Sequence, residues 1–191
     1  MRVLLIGPPG SGKGTQGERL AARLGVEHIA AGDLLRAEVA ARSEIGTQVE
    51  VLLERGDLVP DATIIALVLP KVVAAAESGG YLLDGFPRSV DQAQAARKLA
   101  DQAGAGPDAV VYLDVARDEL MRRILQRAKE QGRADDNEQT VANRLQVFDE
   151  ATRPLVEYYR GRGLLHMIDA AQEADTVTIA ILDSLGWPDG A

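Results

Sequence analysis

The chain has 191 residues, 29 acidic against 21 basic side chains, and no cysteine. That length suits one well-buried domain and is short for two, while the lack of cysteine excludes disulfides, thiol nucleophiles and cysteine–zinc sites and fits a cytoplasmic protein. A net charge of −8 argues against a coat for nucleic acid, no apolar run approaches the length that spans a bilayer, and the apolar stretch at residues 2–6 is too short for a signal-peptide core.

The N-terminal segment is the most informative in the chain. Arg2-Val3-Leu4-Leu5-Ile6 reads as a buried strand, and it runs into the glycine-dense loop Gly7-Pro8-Pro9-Gly10-Ser11-Gly12-Lys13-Gly14-Thr15. Gln16 to Leu24 then carries a helical period. Strand, glycine loop and helix in that order let main-chain N–H groups and the positive helix end converge on an anion. Lys13 would reach the outer phosphates of a nucleotide, and the Thr15 hydroxyl would face a magnesium ion.

Further along, residues 26–30 read as a short strand, 32–42 and 46–55 as helices, and 55–61 as a loop ending in Asp61 as the N-cap of a helix at 61–77. His28 is expected to be a strand or surface residue without a catalytic role. Tyr81 to Asp84 is a buried strand ending in a carboxylate, followed by Gly85-Phe86-Pro87-Arg88 and a helix at 90–103. Residues 109–114 form another apolar strand ending in an acid, 117–130 a long helix, 138–162 a second long helix, 164–169 the last strand and 173–185 the terminal helix. His166 and Met167 should pack at that strand, and Trp187 should cover an edge of the core.

Strands nearly continuously apolar and alternating with helices predict an α/β protein, a three-layer parallel sheet of about five strands covered by helices on both faces. Ligands in such sheets lie beyond the carboxyl ends of the strands, which gathers the glycine loop, residues 84–88 and the segment after Asp114 around one cleft. Asp84 is placed to hold magnesium or its bound waters, or else to cap the turn at Gly85. Seventeen arginines stand against four lysines, and Arg36, Arg88, Arg123, Arg127, Arg133 and Arg144 fall near the expected cleft, where a phosphoryl in transit needs cations. Screening over about 8 Å lets such a cluster act inside an acidic molecule.

The pattern Gly-x4-Gly-Lys-Gly-Thr at Gly7–Thr15, with Gly32-Asp33-Leu34-Leu35-Arg36, Gly56-Asp57-Leu58-Val59 and Asp84-Gly85-Phe86-Pro87-Arg88, resembles the nucleoside monophosphate kinases of P-loop NTPase type, and adenylate kinase in particular. The resemblance implies a single kinase domain over 1–191, with a monophosphate-binding insertion at 31–60 and a short lid at 128–137. It implies transfer of the terminal phosphoryl of ATP to AMP with Mg2+, giving two ADP, and no zinc.

It would put ATP on Gly10, Ser11, Gly12, Lys13, Gly14, Thr15 and Arg127, and AMP on Ala31, Arg36, Asp57, Leu58, Val59, Gly85, Arg88, Gln92, Arg133 and Arg144. Catalysis would fall to Lys13, Arg88, Arg123, Arg133 and Arg144, and the metal to Thr15 and Asp84. A monomer without nucleic-acid or membrane partners is expected. Two departures stand out: Ala30-Ala31 replaces the usual Ser-Thr, as in UMP/CMP kinases, and Ala170 replaces a common glycine. Gln92 speaks for adenine, since the pyrimidine enzymes resembled here carry Asn. A nucleotide-hydrolysing switch is the reading from another class, and no guanine-reading motif supports it.

Overall fold

The computed structural model describes residues 1–131 and 138–187, with the backbone alone at 127–131 and 138. Its five strands are β1 (Arg2–Ile6), β2 (Glu27–Ala30), β3 (Tyr81–Asp84), β4 (Ala109–Asp114) and β5 (Leu165–Asp169), all parallel in the order β2-β3-β1-β4-β5. β1 is central, with Leu5 opposite Asp84 on β3 and Val111 on β4. The chain leaves β1 toward one side of the sheet and β4 toward the other, so the opening between their ends is the expected ligand crevice.

Successive side chains of a strand point to opposite faces, and here both faces are buried. Leu4, Ile6, Tyr81, Leu83, Val110 and Tyr112 share one core, whereas Val3, Leu5, Leu82, Val111 and Leu113 share the other. On the second face pack α1 (Lys13–Leu24), α6 (Arg117–Gln131) and α9 (Ala174–Ser184), through Leu20, Leu24, Ile124, Ile181 and Leu182. The first face is covered by α4 (Asp61–Glu77), α5 (Val90–Gln102) and α8 (Leu155–Arg160), through Ile64, Val68, Val72, Ala93, Leu155 and Tyr159. Each such leucine or valine fully buried contributes roughly 1.5–3 kcal/mol, which is why β1, β3 and β4 are apolar between their ends, while the outer strands β2 and β5 carry His28 and His166. Trp187 packs against the second core, as expected. Met167, by contrast, is 46 % exposed, because β5 is an outer strand with one side uncovered.

Residues 31–60 form two helices and a loop. α2 (Ala31–Ala40) and α3 (Glu44–Arg55) meet closely: a Cβ on Gly46 would stand 2.1 Å from the Glu38 carbonyl oxygen. Ser43 starts α3 as its N-cap, accepting a hydrogen bond from the Gly46 N–H at 2.9 Å. Asp61 is not a cap; it is the first residue of α4, and the N-cap is Pro60. A proline just outside a helix sacrifices no hydrogen bond, since that N–H would be unpaired in any case.

The helix expected over 138–162 is broken. α7 (Glu138–Val147) passes into a π-helical turn, Phe148–Thr152, and resumes as α8. Pro154 has no N–H to give the preceding turn, and the Arg153 N–H bonds to Phe148 O, five residues back, at 2.8 Å. The wider turn lets Thr152 Oγ1 donate to Arg88 O at 2.7 Å, tying it to the segment after β3. The lid expected at 128–137 lies outside the described residues except for the α6 backbone at 128–131.

Candidate active site

The glycine loop joins β1 to α1. Gly12 is the N-cap of α1 in the left-handed region, with φ of 94°, and Gly10 has φ of 83° beside Ile124, so close that a Cβ there would stand 2.8 Å from Ile124 Cγ1. Both positions exclude other residues, by backbone strain at each and by crowding at Gly10. Lys13 Nζ donates to Gly7 O at 2.8 Å and Pro8 O at 3.0 Å, which holds the ammonium over the loop. Ser11, 1 % exposed, has a hydroxyl with no partner among the described residues.

A cavity of about 810 Å³ opens over this loop. Its walls bring together the predicted residues Gly10 to Thr15, Arg36, Asp57, Leu58, Asp84, Gly85, Arg88, Arg123 and Arg144. They come from the loop, α2, the turn after α3, β3 and the turn after it, α6 and α7. With the family pattern at Gly7–Thr15 now seen as a real loop facing a ring of arginines, relatives become informative. A profile of the adenylate kinase family matches residues 5–164. The adenylate kinase of Stenotrophomonas maltophilia (strain R551-3) is 46 % identical over 185 residues, covering 97 % of this chain and 99 % of that one. That of Xanthomonas campestris pv. campestris (strain B100) is 45 % identical over 186 residues, covering 97 % and 100 %.

The chain belongs to the adenylate kinase family. Two predicted residues whose side chains carry the family chemistry lie beyond description: Arg133 is outside the described residues, and Arg127 is seen only as α6 backbone. Three others stand behind the cavity wall. Ala31 and Val59 are buried apolar residues, and Gln92 is 2 % exposed. The Gln92 side-chain oxygen accepts the Arg88 N–H at 2.9 Å, and its own N–H is held by the α5 N-cap, Ser89. Gln92 therefore shapes the Arg88 turn directly.

Arg88 itself is fixed at several atoms. Its Nε donates to Gly85 O at 2.9 Å, its N–H to Gln92, and its carbonyl accepts from Thr152. Burial and the nearby Arg144 and Arg36 guanidinium groups push the Arg88 guanidinium below its ordinary value, with Asp84 opposing. Cations crowded into a shielded space are a site built to receive anions.

The Asp84 carboxyl is pushed up from its ordinary value by burial, offset in part by Lys13, then His28 and Arg88, and reinforced by Asp33. Its Oδ1 is shut off from solvent and has no hydrogen-bond partner among the described residues. An acceptor left unmatched beside Lys13 and a Thr15-lined cavity fits a hydrated divalent cation.

Other wall residues lie outside the sequence motifs. His28 sits on β2 and faces the cavity, with its unpartnered Nε2 over Gly17, where a Cβ would come within 2.3 Å. It is a cleft residue and not a surface one. Glu119 and Arg122 also line the cavity. Glu119 accepts from Arg122 and Arg123, which pulls its carboxyl down to about 2. Arg123 further donates to Ala170 O at 2.8 Å and Ala171 O at 3.1 Å, so its guanidinium lies flat across the loop after β5. The i,i+3 and i,i+4 spacing of Glu119 to Arg122 and Arg123 was the available signal.

Proposed function

We propose that the chain transfers the terminal phosphoryl group of magnesium-bound ATP to AMP, giving two ADP. The observation that carries this is the convergence of Arg36, Arg88, Arg123 and Arg144, from separate elements, on the cavity that the glycine loop opens into. In this reading the loop amides, Ser11, Lys13 and Thr15 hold the ATP phosphates, with Arg127 and Arg123 on the donor side. Arg36 and Arg88 hold the AMP phosphate, with Asp57, Leu58 and Gly85 along the acceptor wall, and Ala31, Val59 and Gln92 shaping it from behind. Arg88, Arg123, Arg133 and Arg144 surround the group in transit.

The attacking atom is a phosphate oxygen of the acceptor, so no protein nucleophile is required. Catalysis consists of bringing two phosphates into line and neutralising the charge that spreads over both. Thr15 and Asp84 would hold magnesium, Asp84 by way of water, and the charge it would supply there would offset that of the outer phosphates. The segments 31–60 and 128–137 are proposed to close over the two substrates and keep water from the donor phosphate. No described helix is long and apolar enough to cross a membrane, and a cytoplasmic monomer acting on small nucleotides is the proposed setting.

A pyrimidine acceptor is the second reading. It is favoured by Ala30-Ala31 and by the engagement of the Gln92 oxygen with the Arg88 N–H. Purified protein with ATP and magnesium is to be offered AMP, CMP and UMP in turn, with diphosphate products separated and counted. ADP at twice the rate of AMP consumption is expected. Products from CMP or UMP alone would replace the acceptor, and ATP loss without any acceptor would favour a hydrolytic switch.

A further inference from the structure

The last carbonyls of a helix have no partner inside it. The last two of α3 are met by side chains from α7: Thr140 Oγ1 donates to Glu54 O at 3.0 Å, and Asn143 Nδ2 to Arg55 O at 2.8 Å, across sequence separations of 86 and 88 residues. Asn143 Nδ2 also donates to Asp57 Oδ1 at 2.8 Å. One amide nitrogen thus spends both hydrogens on the same short turn, one on its backbone and one on its side chain.

Next in sequence is Arg144. It lines the cavity with Asp57 and Leu58, and its stem lies against Gly56, where a Cβ would stand 2.6 Å from Arg144 Cγ. Asn143 itself does not line the cavity. We propose that Asn143 is a specificity-determining positioning residue, whose amide joins the turn 56–59 to α7 so that the wall facing the acceptor's base and the arginine facing its phosphate are set by one joint. This rests on the reading that 56–59 forms the base side of the acceptor site.

The chemistry of the joint is selective for asparagine. Aspartate has the same shape but offers only acceptors, so it faces the Asp57 carboxylate with a like charge and gives nothing to Arg55 O. A role in packing alone would not distinguish the two. A site that loses a fixed hydrogen-bonding wall loses discrimination between bases as well as affinity.

The test is steady-state kinetics of the full chain with AMP and CMP as acceptors, ATP varied separately, and a thermal melt of each variant. Asn143→Ala is expected to raise KM for AMP about threefold and Asn143→Asp about tenfold, with KM for ATP nearly unchanged and the AMP-to-CMP ratio of kcat/KM narrowed. Asp57→Asn added to Asn143→Asp restores a donor facing an acceptor, and is expected to bring KM for AMP below that of Asn143→Asp and to within about threefold of Asp57→Asn alone, the reference that carries the change at Asp57 itself. Asn143→Asp matching the starting protein in KM for AMP and in base preference would overturn the proposal. So would a double variant no better than Asn143→Asp, or a rise in both KM values together with a fall in melting temperature. A starting protein that phosphorylates neither acceptor overturns the acceptor reading and takes the joint's role with it; an active one that fails any of the other comparisons overturns the joint alone.

Discussion

On the side of the cleft where the glycine loop lies, α1 is stitched to α9 through its interior. Gln16, 3 % exposed, donates to Ala174 O at 2.8 Å and accepts from the buried Thr178 hydroxyl at 2.7 Å, while Arg19 pairs with Asp175 at the rim. Arg123 is pinned to the carbonyls of the loop just before α9. On the opposite side, where Arg36 and Asp57 lie, α2 and α3 fit tightly to each other, and the polar ties from α3 and its turn to the body of the protein come from Thr140 and Asn143. The donor wall is fastened by buried hydrogen bonds between helices, whereas the acceptor wall is held by apolar packing of Ala31, Leu35, Val49 and Val59 in the first core, with Thr140 and Asn143 adding polar ties at its edge. Pre-set donors act on developing charge without the cost of reorganising first.

The two walls are most open to test at their charged residues. Lys13→Met on the donor side and Arg88→Ala on the acceptor side are each expected to lower kcat by a factor of about 100 to 1,000 or more, with melting curves close to the starting protein. Near-normal turnover in either variant would remove that residue from the site. Asp84→Asn separates function from stability. Activity should fall by at least about 100-fold. The nucleotide-free protein should nevertheless melt higher at neutral pH, because a carboxylate that has lost water without gaining a hydrogen bond no longer has to be buried.

A smaller effect bears on how the donor wall is fastened. Gln16→Leu keeps the volume but removes both of the Gln16 bonds to α9, and a loss of about 1–2 kcal/mol in urea unfolding is expected. The smallest is Glu119→Gln. The carboxyl of Glu119 is drawn down to about 2 by Arg122 and Arg123, so the stability it adds is complete above its ordinary value of 4.5 and is lost as pH falls from there through about 2. Acid titration of the urea midpoint should be less steep in that window for the variant, and unchanged steepness would show that the exposed pair adds nothing.

Sequence carried the local parts of the structure well. The glycine loop and the central strands are set by near neighbours: positive φ at Gly10 and Gly12, and apolar runs through β1, β3 and β4, whose two faces are covered, whereas the outer strands β2 and β5 carry His28 and His166. What it could not carry is where distant groups meet. Pro154 is visible in the chain, yet the wide turn before it owes its use to Thr152 reaching Arg88 O, 64 residues away. By resemblance Gln92 belongs beside the substrate's base; in the fold its oxygen belongs to the Arg88 N–H, because Ser89 starts α5 so as to turn that side chain back onto the backbone. Asn143 carries no motif at all. Its partners, Arg55 O and Asp57, are supplied by folding, and no pattern of nearby residues announces them.

The fit of Gly46 against the backbone of Glu38 has a mechanical meaning for the arm formed by α2 and α3. Two rods in backbone contact resist bending at their crossing, so the arm behaves as a stiff board, and any swing must be taken up by its two straps at Ala30-Ala31 and Gly56–Pro60. Because Asp57 lies in one of those straps and Arg36 rides on the board, the spacing between these two cavity residues is governed by the rotation of a lever and not by the softness of a loop.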